Sequence, residues 1–204
     1  TPATRSANCS AVVPLTIAMA LFIEFLDASL VATALPSMAR DLQLPAHALS
    51  LTITVYLVSL AVVVPASGWI ADRFGARRTL VTAILIFLCG SSLAGFSHSM
   101  PELLTGRAMQ GAAGALMMPV GRLIILKTVP RHQLMQAWVW LTMPALIGPM
   151  MGPPLAGLIV TIANWRWIFW INIPIGILGA LVAMAYLPDV KEKESPPFDI
   201  QGFV

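Results

Sequence analysis

The amino-acid sequence predicts an all-α integral membrane protein with six transmembrane helices. Three observations carry that prediction. Hydrophobic residues make up 58% of the chain and charged residues only 10%, whereas a soluble domain carries about a quarter charged residues. Six apolar segments recur along the chain, most of them near the roughly 20 residues a helix needs to cross the hydrocarbon core. The basic residues gather at alternate joints between those segments, as they do in a chain threaded back and forth through a bilayer.

The segments run approximately over residues 12–35, 49–70, 79–96, 103–126, 134–162 and 167–187. Residues 1–11 form a polar tail, 12–188 the six-helix domain, and 189–204 a polar linker followed by the opening of a further apolar segment. The first span is too long for a cleaved signal peptide and carries Glu24 and Asp27. The fifth is the longest and is rich in Gly and Pro, so it must tilt or bend. With both termini on the inner side, the inner tails and loops hold Arg5, Arg73, Arg77, Arg78, Lys127, Arg131, Lys191 and Lys193, and the outer loops only Arg40 and Arg166. The asymmetry predicts cytoplasmic termini. Trp165, Trp167 and Trp170 cluster at the outer joint between spans five and six, where an aromatic anchoring belt is expected.

The net charge of +3 does not point to nucleic acid, because the basic residues sit at loops and form no stripe on a soluble domain. Cys9 and Cys89 have no metal-site or disulfide spacing, and no cofactor is implied. His47, His98 and His132 are isolated at loops and no nucleophile–base pair is present, so an enzyme is not predicted.

Charges inside the spans carry the functional argument. Each costs at least about 2.5 kcal/mol at the bilayer centre, so it persists only where it faces a cavity or a partner. Glu24 and Asp27, three residues apart, share one face of the first helix. Two neighbouring carboxylates in a low dielectric do not both stay ionised easily, which is what a proton carrier requires; the alternative is that one of them merely pairs with an arginine. Arg107 in span four keeps its proton even when buried, so it needs an acid or carbonyls to face; its alternative role is to pack helix four. Arg122, nearer the inner end, is placed to snorkel to the interface. Met109, Met117, Met118 and Met143 are either adaptable walls for a ligand or plain packing.

Several motifs then share one resemblance. The turn from Gly68 to Arg78, with Asp72, Arg73, Gly75 and Arg77, holds two glycines and an acid that charge alone would not need. It resembles the loop signature of the major facilitator superfamily, Gly-x-x-x-Asp-Arg-x-Gly-Arg-Arg, with the glycine–arginine step reading Gly75-Ala76-Arg77-Arg78, so that the basic pair is kept with one substitution, Ala76, before it. The run from Leu26 to Pro36 resembles the helix-one motif of that superfamily's fourteen-helix drug/proton antiporter branch, with Ser29 in place of Thr and Ala32 in place of Asn. Arg107-Ala108-Met109-Gln110-Gly111 resembles its helix-four motif. Gly148-Pro149-x-x-Gly152 matches the core of its helix-five antiporter motif, with Pro144 and Pro153 at two positions where glycine is usual. The block from Trp165 to Gly176 is similar to another of the same branch.

The resemblance implies the N-terminal half of a major facilitator fold, an inverted three-plus-three repeat whose substrate path lies between two halves. It implies proton-coupled efflux of amphipathic, drug-like compounds across a bacterial inner membrane by alternating access. Asp27 and Arg107 would couple to protons, Gly68, Asp72, Arg73, Gly75, Arg77 and Arg78 would switch conformation, and the partner would be a C-terminal half beyond residue 204. The role of Glu24 comes from its spacing and not from the resemblance. Two other readings stay open: a carrier of one defined metabolite, and a non-transporting scaffold or sensor built on a half-transporter.

Overall fold

The computed structural model describes residues 2–188, with side chains described for 12–45 and 47–188. The predicted linker at 189–204, with Lys191 and Lys193, lies outside the described residues. All regular structure among the described residues is helical: α1 Pro2–Asp41, α2 Ala46–Val63, α3 Ser67–Phe74, α4 Ala76–Gly95, α5 Met100–Thr128, α6 Leu134–Ile162, α7 Trp167–Trp170 and α8 Asn172–Tyr186. Six spans long and apolar enough to cross a membrane result, one each from α1, α4, α5 and α6, one from α2 with α3, and one from α7 with α8. The chain is a multi-pass membrane protein.

Two boundaries depart from the hydropathy pattern. The first helix runs on past Leu35 to Asp41 and is closed there by Gln43 at φ 54°, with the Leu42 and Leu44 N–H groups donating to the Met38 and Ala39 carbonyls at 2.9 and 3.0 Å. It also begins at Pro2, so the backbone of the predicted tail is helical. The second span is not one rod. A 3₁₀ turn at Val64–Ala66, with Pro65 inside it, separates α2 from α3. The fifth span, with four internal prolines, stays one helix.

The packing has an internal symmetry. Span one packs on five and span four on two; span three packs on four and span six on one; three and six touch each other. Exchanging one with four, two with five and three with six maps this pattern onto itself, the inverted repeat expected of a half-transporter. Close helix approach depends on small residues. A Cβ on Gly111 would collide with the Tyr56 backbone of α2, and one on Gly121 with Ile17 of α1. Spans two and five are the least buried, with only 17% of their apolar windows covered.

Two apolar clusters fill the bundle. One lies toward the end bearing the Gly75 turn and includes Ile17, Leu80, Phe87, Ile124 and Ala183. The other lies toward the opposite end and includes Leu30, Leu49, Leu103, Ile168 and Phe169. Four spans switch from one cluster to the other near mid-depth, and the residues at the switch are Asp27, Ser91, Arg107, Gln110 and Asn172.

Candidate functional site: a buried polar layer between two apolar clusters

Burying this much polarity is tolerable only if the groups answer one another. Asp27 has no exposed surface and Arg107 is 1% exposed, and Arg107 Nη1 lies 2.5 Å from Asp27 Oδ2. The acid and the base predicted from separate spans meet. Asp27 Oδ1 accepts from Gln110 Nε2 at 3.1 Å and from Asn172 Nδ2 at 2.7 Å. Ser91 receives Asn172 Nδ2 at 3.1 Å and donates to the Phe169 carbonyl at 2.9 Å. The carboxylate therefore sits among donors from spans four and six, with span three behind them.

The guanidinium is held from three further sides. Nη1 also donates to Gln110 Oε1 at 2.9 Å, and Nε donates to the Thr52 carbonyl at 3.4 Å. Its flat face lies over the Tyr56 ring, 4.5 Å from the centroid, a cation–π contact strengthened by exclusion of water. Arg107 and Gln110 are three residues apart on α5 and so share a face.

Glu24 is buried beside this group but is not one of Arg107's partners. Its Oε1 accepts from the Tyr56 hydroxyl at 3.5 Å, and Oε2 has no hydrogen-bond partner among the described residues. Gly114 makes the room: a Cβ there would lie 3.0 Å from Glu24 Oε1 and 3.2 Å from the Tyr56 hydroxyl. Tyr56 thus links Glu24, through its hydroxyl, to Arg107, through its ring. Sequence reasoning reached Asp27, Glu24 and Arg107 through the cost of burying charge. It missed Thr52, Tyr56 and Ser91, neutral residues that carry no such cost. Gln110 and Asn172 stood inside the quoted motifs without an assigned role.

The predicted switch residues occupy the turn at the basic end. Gly75 adopts φ 94°, a conformation that side chains disfavour. Its N–H closes α3 on the Ala71 carbonyl at 2.9 Å, and its own carbonyl accepts from the Thr79 hydroxyl at 2.9 Å. Arg77 Nη1 reaches the Leu187 carbonyl, at the end of α8, at 3.4 Å. Asp72 pairs with Lys127 at the end of α5, 3.6 Å away and about one-third exposed. Arg73 lies over Trp69. Nothing lies within 4 Å of a Cβ placed on Gly68. The turn is therefore tied to spans four and six.

Gly148, Pro149 and Gly152 do not enter the polar layer. They pack α6 on α1: a Cβ on Gly148 would sit 3.0 Å from the Leu26 nitrogen, and one on Gly152 would strike Ser29. Arg122 is exposed and lies over Trp138, 5.9 Å from its centroid. Met117 is buried packing, whereas Met143 is 53% exposed.

The opposite end holds a cluster that sequence reasoning assigned otherwise. Arg166 donates to Asp41 Oδ2 at 2.7 Å and to the Ser97 carbonyl from Nε and Nη2 at 3.1 and 2.9 Å. Trp165 is not an anchoring belt residue. It is 3% exposed, and its indole N–H donates to the same Asp41 oxygen at 3.0 Å. Trp170 packs edge-on against Phe96, so of the three tryptophans only Trp167 is largely exposed. An open pocket of about 610 Å³ lies beside Asp41, His98, Asn164 and Arg166.

Among the described residues no group of three or more His, Cys, Asp or Glu side chains could hold a metal ion. The polar layer holds one charge pair out of water.

Comparison with known proteins agrees with this architecture. Residues 17–202 match the family model described as Major Facilitator Superfamily. Proteins of Escherichia coli O81 (strain ED1a) and O6:H1, provisionally named multidrug resistance protein MdtD, are each 46% identical over 189 residues. The match covers 92% of this chain and 40% of each relative, so the chain spans about two-fifths of their length. Among solved structures, the proton:xylose symporter XylE superposes with a TM-score of 0.78 at 14% identity, covering 90% of this chain and 46% of that one. The human organic anion transporter MFSD10 gives 0.71 at 15% identity, covering 87% and 47%. At that identity these two share the fold alone. With a match across nearly its whole length, six spans in a half-transporter arrangement and motifs in order along them, this chain belongs to the Major Facilitator Superfamily, a family of transporters and not of enzymes.

Proposed function

We propose that this chain is the N-terminal half of a proton-coupled exporter of amphipathic, drug-like compounds, residing in a bacterial inner membrane with both termini in the cytoplasm. The observation that carries the reading is the wholly buried Asp27–Arg107 pair, held by side chains from spans four and six. The 46% identity to the MdtD proteins supports drug-like substrates. The basic residues Arg73, Arg77, Arg78, Lys127 and Arg131 support a cytoplasmic face for the Gly75 turn.

The mechanism is alternating access against a C-terminal half, with spans two and five, least covered here, next to that half. Ionised Asp27 holds Arg107 in place. A proton arriving from outside neutralises the carboxylate, and the guanidinium keeps only its contacts to Thr52, Gln110 and Tyr56. The helices then rearrange, substrate leaves outward, and loss of the proton to the cytoplasm restores the pair. One charge change is thereby converted into a choice between two packings.

The experiment is Asp27→Asn in the full-length protein, in everted vesicles with an imposed proton gradient. The variant is expected to insert and to lose gradient-driven substrate movement. Movement at the wild-type rate would sink the reading.

A further inference from the structure

Ser29 stands two residues beyond Asp27 on α1. At about 100° per residue the two side chains lie on nearly opposite faces of the helix: Asp27 turns to Arg107, and Ser29 turns to α6. The Ser29 hydroxyl donates to the carbonyl oxygen of Pro149 at 3.2 Å. That carbonyl is a special acceptor. In an α-helix the oxygen of residue i takes the N–H of residue i+4, and four residues beyond Pro149 stands Pro153, which has no N–H. The sequence of α6 therefore frees a backbone acceptor within the bilayer, where an unanswered carbonyl is unfavourable, and a hydroxyl of α1 answers it.

Two glycines give that hydroxyl its access. A Cβ on Gly152 would run into the Ser29 side chain itself. One turn earlier, a Cβ on Gly148 would lie 3.0 Å from the Leu26 nitrogen and 3.3 Å from the Phe25 Cβ. Gly148, Gly152 and Pro153 thus form a seat that grips α1 on both sides of Asp27 and fastens it at one point.

We propose that Ser29 is a positioning residue for Asp27: its hydrogen bond to the Pro149 carbonyl fixes the rotation and height of the Asp27 turn against span five, and so sets how the carboxylate meets Arg107. The inference rests on the reading of Asp27 as the proton-coupling acid, but its test does not require transport.

The test compares Ser29→Ala, Ser29→Thr, Pro153→Ala and the double variant Ser29→Ala/Pro153→Ala in the full-length protein. Pro153→Ala returns a helical N–H to the Pro149 carbonyl, so the double variant satisfies that oxygen without any link between the helices. The primary measurement is the Asp27 protonation midpoint, read from the carboxyl infrared band that Asp27→Asn removes. A net hydrogen bond is worth a few-fold in an equilibrium. Ser29→Ala is expected to move the midpoint by about threefold or more in proton affinity, and Ser29→Thr to leave it in place. The double variant is expected to recover the wild-type Tm while its midpoint stays displaced. An unmoved midpoint in Ser29→Ala would overturn the proposal. So would a double variant that recovers both Tm and midpoint, since the hydroxyl would then only be filling a vacant acceptor. If Asp27→Asn still transports normally, the functional reading fails, and the midpoint displacement remains as a separate result.

Discussion

Gly90 of α4 and Gly106 of α5 face each other so closely that a Cβ on either would fall 2.7 Å from the other's carbonyl oxygen. The residues that follow each of them, Ser91 and Arg107, belong to the polar layer. The glycine contact therefore sets the distance across which that layer is assembled.

Gly106→Ala is expected to destabilise the protein, because the clash is with backbone, which cannot rotate aside; overpacking of this kind costs about 1–3 kcal/mol. Gly157→Ala and Gly179→Ala are the controls. Nothing lies within 4 Å of a Cβ at either site, and alanine in a helix gains about 0.5–1 kcal/mol over glycine. Thermal unfolding of the detergent-purified protein checks all three. Equal Tm values for the Gly106 and Gly157 variants would contradict the argument.

Asp27→Asn leaves Arg107 buried without its counter-charge, and breaking such a pair costs about 3–5 kcal/mol. Adding Arg107→Gln removes the stranded charge. The double variant is expected to unfold at a higher temperature than Asp27→Asn alone, while remaining inactive. A double variant less stable than both single ones would mean that the two charges do not answer each other.

Asp72 and Lys127 are a pair of a different kind. Both are about one-third exposed, so their attraction is worth roughly 0.2–1 kcal/mol and weakens with salt. Asp72→Asn is expected to change Tm little. In the proposed switch role it moves the conformational balance away from outward-open, read as a changed ratio of cysteine labelling from the two sides. An unchanged ratio would remove Asp72 from that role.

At the opposite end, Arg166 serves Asp41 and the Ser97 carbonyl together. Only a planar guanidinium can bridge them in this way, so Arg166→Lys is expected to lower Tm nearly as much as Arg166→Leu. Restoration of wild-type Tm by lysine would show that charge alone suffices there.

The six spans were legible because lipid imposes one strong requirement, a long apolar helix, and composition records it. The break at Pro65 was less legible: four prolines in α6 leave that helix whole, and whether a proline breaks a helix depends on what stands opposite. Across from α6 stand α1 and the Ser29 hydroxyl. The Asp27–Arg107 pair could be foreseen because two isolated charges in lipid have few other solutions. Tyr56 could not, since a tyrosine in a span is equally at home facing lipid, packing or a cation, and only the approach of α2 to α5 at Gly111 decides. Trp165 misled for the related reason that its partner, Asp41, stands 124 residues away.

Asp27 and Arg107 are themselves 80 residues apart in the chain. A ribosome adding about 5–20 residues per second completes Asp27 some 4–16 seconds before Arg107 exists. Throughout that interval the first span holds an acid whose answer has not yet been made. Release of the first span to lipid in that interval would carry the cost of the unanswered acid, at least about 2.5 kcal/mol, a cost that ends when the fourth span arrives. Assembly of this bundle is thus a matter of timing as much as of contacts.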